Sequence, residues 1–440
     1  MVTKPSSDDD CKTYKIRWLI LGLFAIYSAS NSLQWIQYSI IANIIVEFYG
    51  VSSAAVDWTS MIFMILYIPF VFPASMMLDK FGLRKIVIIG TIGTTIGAWV
   101  KVGSVREDLF WVTFLGQSIV ALSQVCVLSV PARLAAVWFG PTQVSSACSI
   151  GVFGNQLGVA IGFLIPPWVV PDESIDEITT GLYTLFIGTA IFSSLITICV
   201  IFFFKDTPPT PPSMAEALKE TESKTNFKEF KTSLIALALN RNFVLLLLSY
   251  GINVGIFYAI STLLNQIILR YYPDNGTDAG QIGVLIVFAG MLGSVLCGVV
   301  LDKTRKYKET TLAVYILSLI AMIIFTFTLE IGIIIVYITS ALLGFFMTGL
   351  LPVGFELASE LTYPEPEGTS AGLLNAAAQV FGIILTSSYS EIFYSLDDVW
   401  ANGIMSMILV IGCVFVAFIS SDLRRQAAHN KQTTDVQIPP

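Results

Sequence analysis

Ser75-Met76-Met77-Leu78-Asp79-Lys80-Phe81-Gly82-Leu83-Arg84-Lys85 recurs in weakened form 223 residues later as Gly298-Val299-Val300-Leu301-Asp302-Lys303-Thr304-Arg305-Lys306. Each copy joins two long apolar runs. The same offset relates Trp35 to Tyr258 and Gln156 to Gln379. Separate matches at one register divide the chain into two halves built on one plan. In each copy an Asp leads a basic turn. Basic residues alone would fix a membrane topology, so an Asp at both equivalent positions predicts a further task. Asp79 and Asp302, with Lys80, Arg84 and Arg305, are expected to gate. A carboxylate near a helix end pairs with nearby cations and with the positive N-terminus of a helix in the same half, holding that side in one state. Gly82 permits the tight turn.

Composition fixes the surroundings of these loops. Of 440 residues, 55% are apolar and 12% charged, against about a quarter charged in soluble domains. The apolar residues gather into blocks long enough to cross roughly 30 Å of hydrocarbon as helices. The alternating short strands of a membrane barrel are missing. Spans 1 to 12 are predicted at 17–48, 54–78, 85–104, 109–138, 142–170, 179–204, 240–271, 277–301, 309–330, 332–360, 367–395 and 399–420. Residues 205–239 are Pro-rich, then mixed in charge, and read as a linker with a short amphipathic helix. The plan is therefore an all-α membrane protein: tail 1–16, bundle 17–204, linker 205–239, bundle 240–420 and tail 421–440. A polar, acidic start followed by a long apolar block gives no sign of a cleavable signal peptide. All cysteines but Cys11 fall inside apolar blocks and read as small core residues, not disulfides.

Charge sets the sidedness. With twelve spans both termini share a side, and 21 of the 24 basic residues fall on it, leaving Lys101, Arg106 and Arg270 opposite. The basic side is expected to be cytoplasmic. The far side carries acidic Asp172, Glu173, Asp176 and Glu177, and a candidate glycosylation acceptor at Asn275-Gly276-Thr277.

Polar residues inside spans predict a cavity. In span 1, Ser28, Asn31, Trp35, Tyr38 and Ala42 share a face at helical spacing. Span 7 contains Tyr250, Asn253, Phe257, Tyr258, Ser261 and Asn265. Such side chains are costly in mid-membrane unless partnered or wet, so these helices are expected to face water or solute. Aromatic Trp35 and Tyr258 stand at equivalent mid-span places, with uncharged Gln124, Gln156 and Gln379 on spans 4, 5 and 11. The acids and bases lie toward span ends. Ring faces without fixed charge suit a small organic cation, above all a quaternary ammonium. Gln156 lies among Gly151, Gly154, Gly158 and Gly162, where close helix packing is the better reading. Gln124 and Gln379 read equally as solute contacts or helix-to-helix bonds.

The loop Asp79-Lys80-Phe81-Gly82-Leu83-Arg84-Lys85 resembles the signature loop of the major facilitator superfamily. That resemblance implies a fold of twelve helices in two pseudo-symmetric six-helix bundles, with spans 1, 4, 7 and 10 lining a central cavity. Longer runs narrow it: Asn31-Ser-Leu-Gln-Trp-Ile-Gln-Tyr38, Phe48-Tyr-Gly-Val51, Gly97-Ala-Trp-Val-Lys101, Val137-Trp-Phe-Gly140, Ala147-Cys-Ser-Ile-Gly-Val-Phe-Gly-Asn-Gln-Leu-Gly158 and Phe257-Tyr-Ala-Ile-Ser-Thr-Leu-Leu-Asn265. These are similar to the feline leukaemia virus subgroup C receptor family. The resemblance implies transport of choline and ethanolamine, with haem as a rival cargo, and a cation site on Trp35, Gln124, Tyr258 and Gln379. Phe63 stands where relatives carry Tyr.

Haem ranks second because the single histidine, His429, lies in the C-terminal tail, which leaves Tyr, Cys or Met as iron ligands, or passage without a ligand. No cofactor, metal or nucleic acid is expected. The reading is a monomeric, alternating-access uniporter in the plasma membrane, or in an organelle membrane, surrounded by lipid. A receptor or scaffold would not need paired gating loops. An intramembrane enzyme would need a clustered nucleophile, acid-base pair or metal ligands at depth.

Overall fold

The computed structural model describes residues 12–128, 130–140, 143–212, 227–365, 367–420 and Arg424. Those residues form helices and turns, without strands. Twelve helices are long and apolar enough to cross a membrane: Ile16–Tyr49, Ser53–Leu78, Leu83–Val102, Phe110–Trp138, Ser146–Val169, Ile175–Phe203, Arg241–Tyr271, Gly276–Leu301, Tyr307–Thr328, Ile333–Thr362, Gly368–Ser395 and Asp398–Phe418. Helices are the expected solution, because hydrocarbon offers no water to satisfy backbone groups. The chain is an integral, multi-pass membrane protein. A further helix, Phe227–Leu239, lies where the sequence predicts a short one. His429 and Cys11 lie outside the described residues.

Span ends follow local chemistry. Span 1 stops at Gly50, a left-handed residue with φ +62°. Span 2 starts at Ser52, whose hydroxyl accepts the Ala55 N–H at 3.3 Å. Span 6 opens with a reciprocal cap between Ser174 and Glu177, which satisfies donors the first turn cannot pair itself.

Span 1 is not the continuous helix that its sequence predicts. The α-helix runs Ile16–Ile36, a 3-10 turn covers Ser39–Ile41, and the α-helix resumes at Ala42–Tyr49. Tyr38 and Ala42 therefore leave the register of Ser28, Asn31 and Trp35.

Packing groups the described residues into two compact units, Met1–Lys224 with Thr262–Val284, and Thr225–Ser261 with Leu285–Pro440. In the first, Ile20, Phe24, Tyr27, Ile86, Leu134 and Trp138 share a buried core. The glycine face of span 5 is pressed against span 1, as its sequence predicts. A Cβ at Gly154, Gly158 or Gly162 would lie 2.4–2.5 Å from the carbonyl oxygens of Ala25, Ala29 and Leu33. Such backbone approach replaces the hydrophobic drive that lipid removes. In the second unit, Phe243, Leu246, Tyr250, Leu357 and Leu374 form a core. There Gly293 and Gly344 let spans 8 and 10 touch in the same manner.

Candidate functional site

Each of the repeated basic turns contains a residue of positive φ. Gly82 has φ +83° and Arg305 φ +51°, at positions one repeat apart. The side chains of Asp79 and Asp302 lie outside the described set. Around Gly82, a carboxylate the sequence reading passed over takes a structural role. Asp206, just past span 6, accepts the Arg84 N–H at 3.0 Å. It thereby caps span 3, which has no side-chain cap of its own. A Cβ at Gly82 would sit 2.6 Å from the Asp206 oxygen, so glycine serves both the turn and the cap. The Arg84 guanidinium donates to the Ile201 carbonyl at 3.0 Å. Lys80 is exposed, its ammonium 5.5 Å from the Phe81 ring centre.

The expected solute residues divide between the units. Trp35, Asn31, Phe63 and Gln124 belong to the first, Tyr258 and Gln379 to the second. Trp35 occupies the last turn of the straight part of span 1, with 8% of its surface exposed. Gln124 is half-buried and Phe63 is buried. Gln379 Nε2 lies 3.5 Å from the Tyr258 hydroxyl, which brings these two expected partners together. Gln156 of span 5 is half-buried.

Most other polar groups of spans 1 and 7 hold helices together. Asn31 is fully buried, and its amide donates to Thr94 Oγ1 at 3.0 Å and the Val120 carbonyl at 3.1 Å. Asn253 of span 7 likewise donates to the Met347 carbonyl of span 10 at 3.0 Å. Ser30 meets Ser193 at 2.7 Å, and Ser32 donates to the Asn155 carbonyl at 2.8 Å. The Tyr38 ring packs on Phe186 with centres 5.4 Å apart.

Toward the far side, span 7 is tied to spans 1 and 2 within the first unit. Ser60 meets Thr262 at 2.9 Å, Gln266 donates to Asp57 Oδ1 at 2.9 Å, and Asn265 accepts the Asn43 N–H at 3.4 Å. Beside them lies a cavity of about 320 Å³, whose lining includes Asp172, Glu173 and Asp274. Asn275 stands at the start of span 8, its amide bonded to Asp278.

Lys101 corrects the sequence reading most. The charge pattern puts it among the far-side charges, at the end of span 3. Instead it is 1% exposed, and its ammonium bonds Gln117 Oε1 at 2.9 Å and Gln37 Oε1 at 3.2 Å inside the bundle. The lysine stem lets a residue at a span end reach inward, and two uncharged acceptors receive it.

Twelve apolar spans and a twofold repeat with a positive-φ residue in the basic turn of each half define a polytopic membrane transporter. A family model described as Major Facilitator Superfamily matches residues 20–387. The zebrafish (Danio rerio) choline/ethanolamine transporter flvcr2a is 50% identical, over 97% of this chain and 91% of its own. The human choline/ethanolamine transporter FLVCR2 is 48% identical, over 98% and 83%. Among solved structures, a bacterial homologue of the human lysosomal transporter Spinster, inward-facing and unoccupied, superposes with TM-score 0.73 at 13% identity, over 94% of this chain and 99% of that one. The D-xylose–proton symporter gives TM-score 0.70 at 12% identity, over 92% and 98%. The last two speak for the fold alone. The chain belongs to the major facilitator superfamily and, within it, to the feline leukaemia virus subgroup C receptor family.

Proposed function

We propose that this protein is a uniporter for a small organic cation, choline first and ethanolamine second, working by alternating access around a midplane site. The observation that carries the reading is identity of 48–50% over nearly the whole chain with relatives named choline/ethanolamine transporters. Trp35, Gln124, Tyr258 and Gln379, the residue types the family resemblance implies, are all present.

In this reading the faces of Trp35 and Tyr258 enclose a trimethylammonium group, whose methyls cannot donate strong hydrogen bonds. Each ring contributes about 2 kcal/mol once the cation is desolvated. Gln124 and Gln379 orient the hydroxyl end. The 3.5 Å separation of Gln379 and Tyr258 is long for a hydrogen bond, so little is lost if a ligand parts them. The acidic cavity lining near Asp172 and Asp274 favours approach of a cation.

Uniport is supported by where the carboxylates lie. Among the described residues the buried ones are Asp57, Glu360 and Asp398, all within two turns of a span end. A coupling proton would want one at midspan. The cycle would break the bonds from span 7 to spans 1 and 2 when the far side opens, and close the turns around Gly82 and Arg305 in exchange. We place the basic side and both termini in the cytoplasm, the protein in the plasma membrane, and the working unit as a monomer. Asn275 would be the glycan acceptor outside.

Uptake of labelled choline by proteoliposomes of purified protein tests this. Saturable uptake, competed by ethanolamine and collapsing with the choline gradient, is expected. Uphill uptake driven by a proton gradient would contradict uniport, and movement of haem without choline would overturn the cargo.

A further inference from the structure

Span 1 breaks beside Trp35, and the break is built around Lys101. Beyond Ile36 the regular α-helical ladder stops. In hydrocarbon each carbonyl freed in this way needs another donor. Gln117 of span 4 supplies one: its Nε2 donates to the Gln34 carbonyl at 3.1 Å and to the Thr59 carbonyl of span 2 at 3.0 Å. Both amide hydrogens are then spent, and Oε1 must accept. Gln37 is oriented as firmly. The Thr189 hydroxyl gives its hydrogen to the Leu185 carbonyl at 2.8 Å, so it can only accept from Gln37 Nε2, at 3.2 Å. That turns Gln37 Oε1 inward as well.

Two fixed amide oxygens thus converge on one point, and a group that only donates is required there. A lysine ammonium has three donors and no acceptor. Lys101 fills the point, with its charge also 5.6 Å from the Tyr38 ring centre. Its partners are uncharged, so the pairing is not an ion pair. Trp35 lies between Gln34 and Gln37, the two residues of span 1 that the network holds directly.

We infer that Lys101 is a positioning residue for Trp35: through Gln37 and Gln117 it fixes the break in span 1 and so the presentation of the tryptophan ring to the solute. This rests on the proposed function only for the identity of the solute. Losing the ammonium strands both oxygens, because turning Gln117 over would sacrifice its two carbonyl bonds. An arginine can still donate to both.

The test uses full-length protein in proteoliposomes, with Lys101→Met, Lys101→Arg and Gln37→Leu. For choline uptake, Lys101→Met is expected to raise KM by about tenfold or more while kcat stays within about threefold, and Lys101→Arg to restore KM to within about threefold of wild type. Gln37→Leu, which cuts the same link from the other side, should move KM in the same direction. A substrate-independent readout accompanies these: the emission contributed by Trp35, taken as the difference from the matching Trp35→Phe protein, should become more quenchable by acrylamide in Lys101→Met. A folded Lys101→Met protein with wild-type KM and unchanged Trp35 emission would overturn the inference. So would Lys101→Arg behaving like Lys101→Met, since bulk rather than donors would then matter. If neither Lys101→Met nor Gln37→Leu folds, the lysine supports the bundle and not the tryptophan, and the assignment also falls. Absence of choline uptake by the wild type, with the Trp35 emission still responding to Lys101→Met, would sink the choline reading and leave the positioning role standing.

Discussion

Gly82 and Arg305 occupy the same place in the two halves of the chain, and both have a positive φ, +83° and +51°. The sequence repeat shows the Asp and the basic residues of this turn, while the positive φ recurs across different side chains. Glycine enters that region freely, whereas an L-residue gives up about 1–2 kcal/mol.

Replacing Gly82 should therefore hurt more than replacing Arg305. Gly82→Ala meets both the left-handed φ and the Asp206 carboxylate, and a loss of about 1–3 kcal/mol is expected. Arg305→Gly should be tolerated without loss of thermal stability in detergent. Equal and negligible effects of the two would contradict this account of the turn.

Asp206 offers a cleaner cut at the same junction. It accepts the Arg84 N–H, so Asp206→Ala should cost about 0.5–2 kcal/mol and Asp206→Asn should keep most of the cap. Chemical denaturation or thermal melting of the three proteins reads the difference.

The ties from span 7 to spans 1 and 2 should be measurable as pairwise coupling. Ser60 and Thr262 lie 2.9 Å apart. A double-mutant cycle of Ser60→Ala with Thr262→Val is expected to give a coupling of about 0.5–1.5 kcal/mol on thermal stability, in the range of hydrogen bonds between membrane helices. Strict additivity would show that the pair contributes nothing.

Tyr258 separates ring from hydroxyl. If the ring face holds the cation, Tyr258→Phe should keep choline KM within about threefold, and Tyr258→Leu should raise it by about tenfold or more. Uptake kinetics distinguish the two. A large loss in Tyr258→Phe would assign the main role to the hydroxyl facing Gln379.

Much of the fold was legible in the sequence because it follows from hydropathy, charge bias and one repeat offset, all properties of the chain itself. The glycine face of span 5 was legible for the same reason: Gly154, Gly158 and Gly162 announce a close approach. The break in span 1 was not. Gln37 and Tyr38 carry no breaker residue, and the break depends on Gln117 and Lys101, distant in sequence. The inward turn of Lys101 was not legible either, because its place near the end of span 3 does not say which way the side chain points. The polar face of span 1 misled as well. Asn31 is fully buried and turns to Thr94 and the Val120 carbonyl on neighbouring helices, since a helix at the centre of a bundle has polar partners on several sides. Asp206 escaped notice because a cap is defined by where a loop returns, which the linear pattern does not record.

The central claim is that an aromatic cage with Trp35 as one wall binds an organic cation, and saturation kinetics of choline uptake by Trp35 variants in proteoliposomes test it most directly. Trp35→Ala should lose uptake by about tenfold or more at subsaturating choline, and Trp35→Phe should recover part of it, because a smaller ring still offers a π face. Undiminished uptake by a folded Trp35→Ala protein would contradict the account.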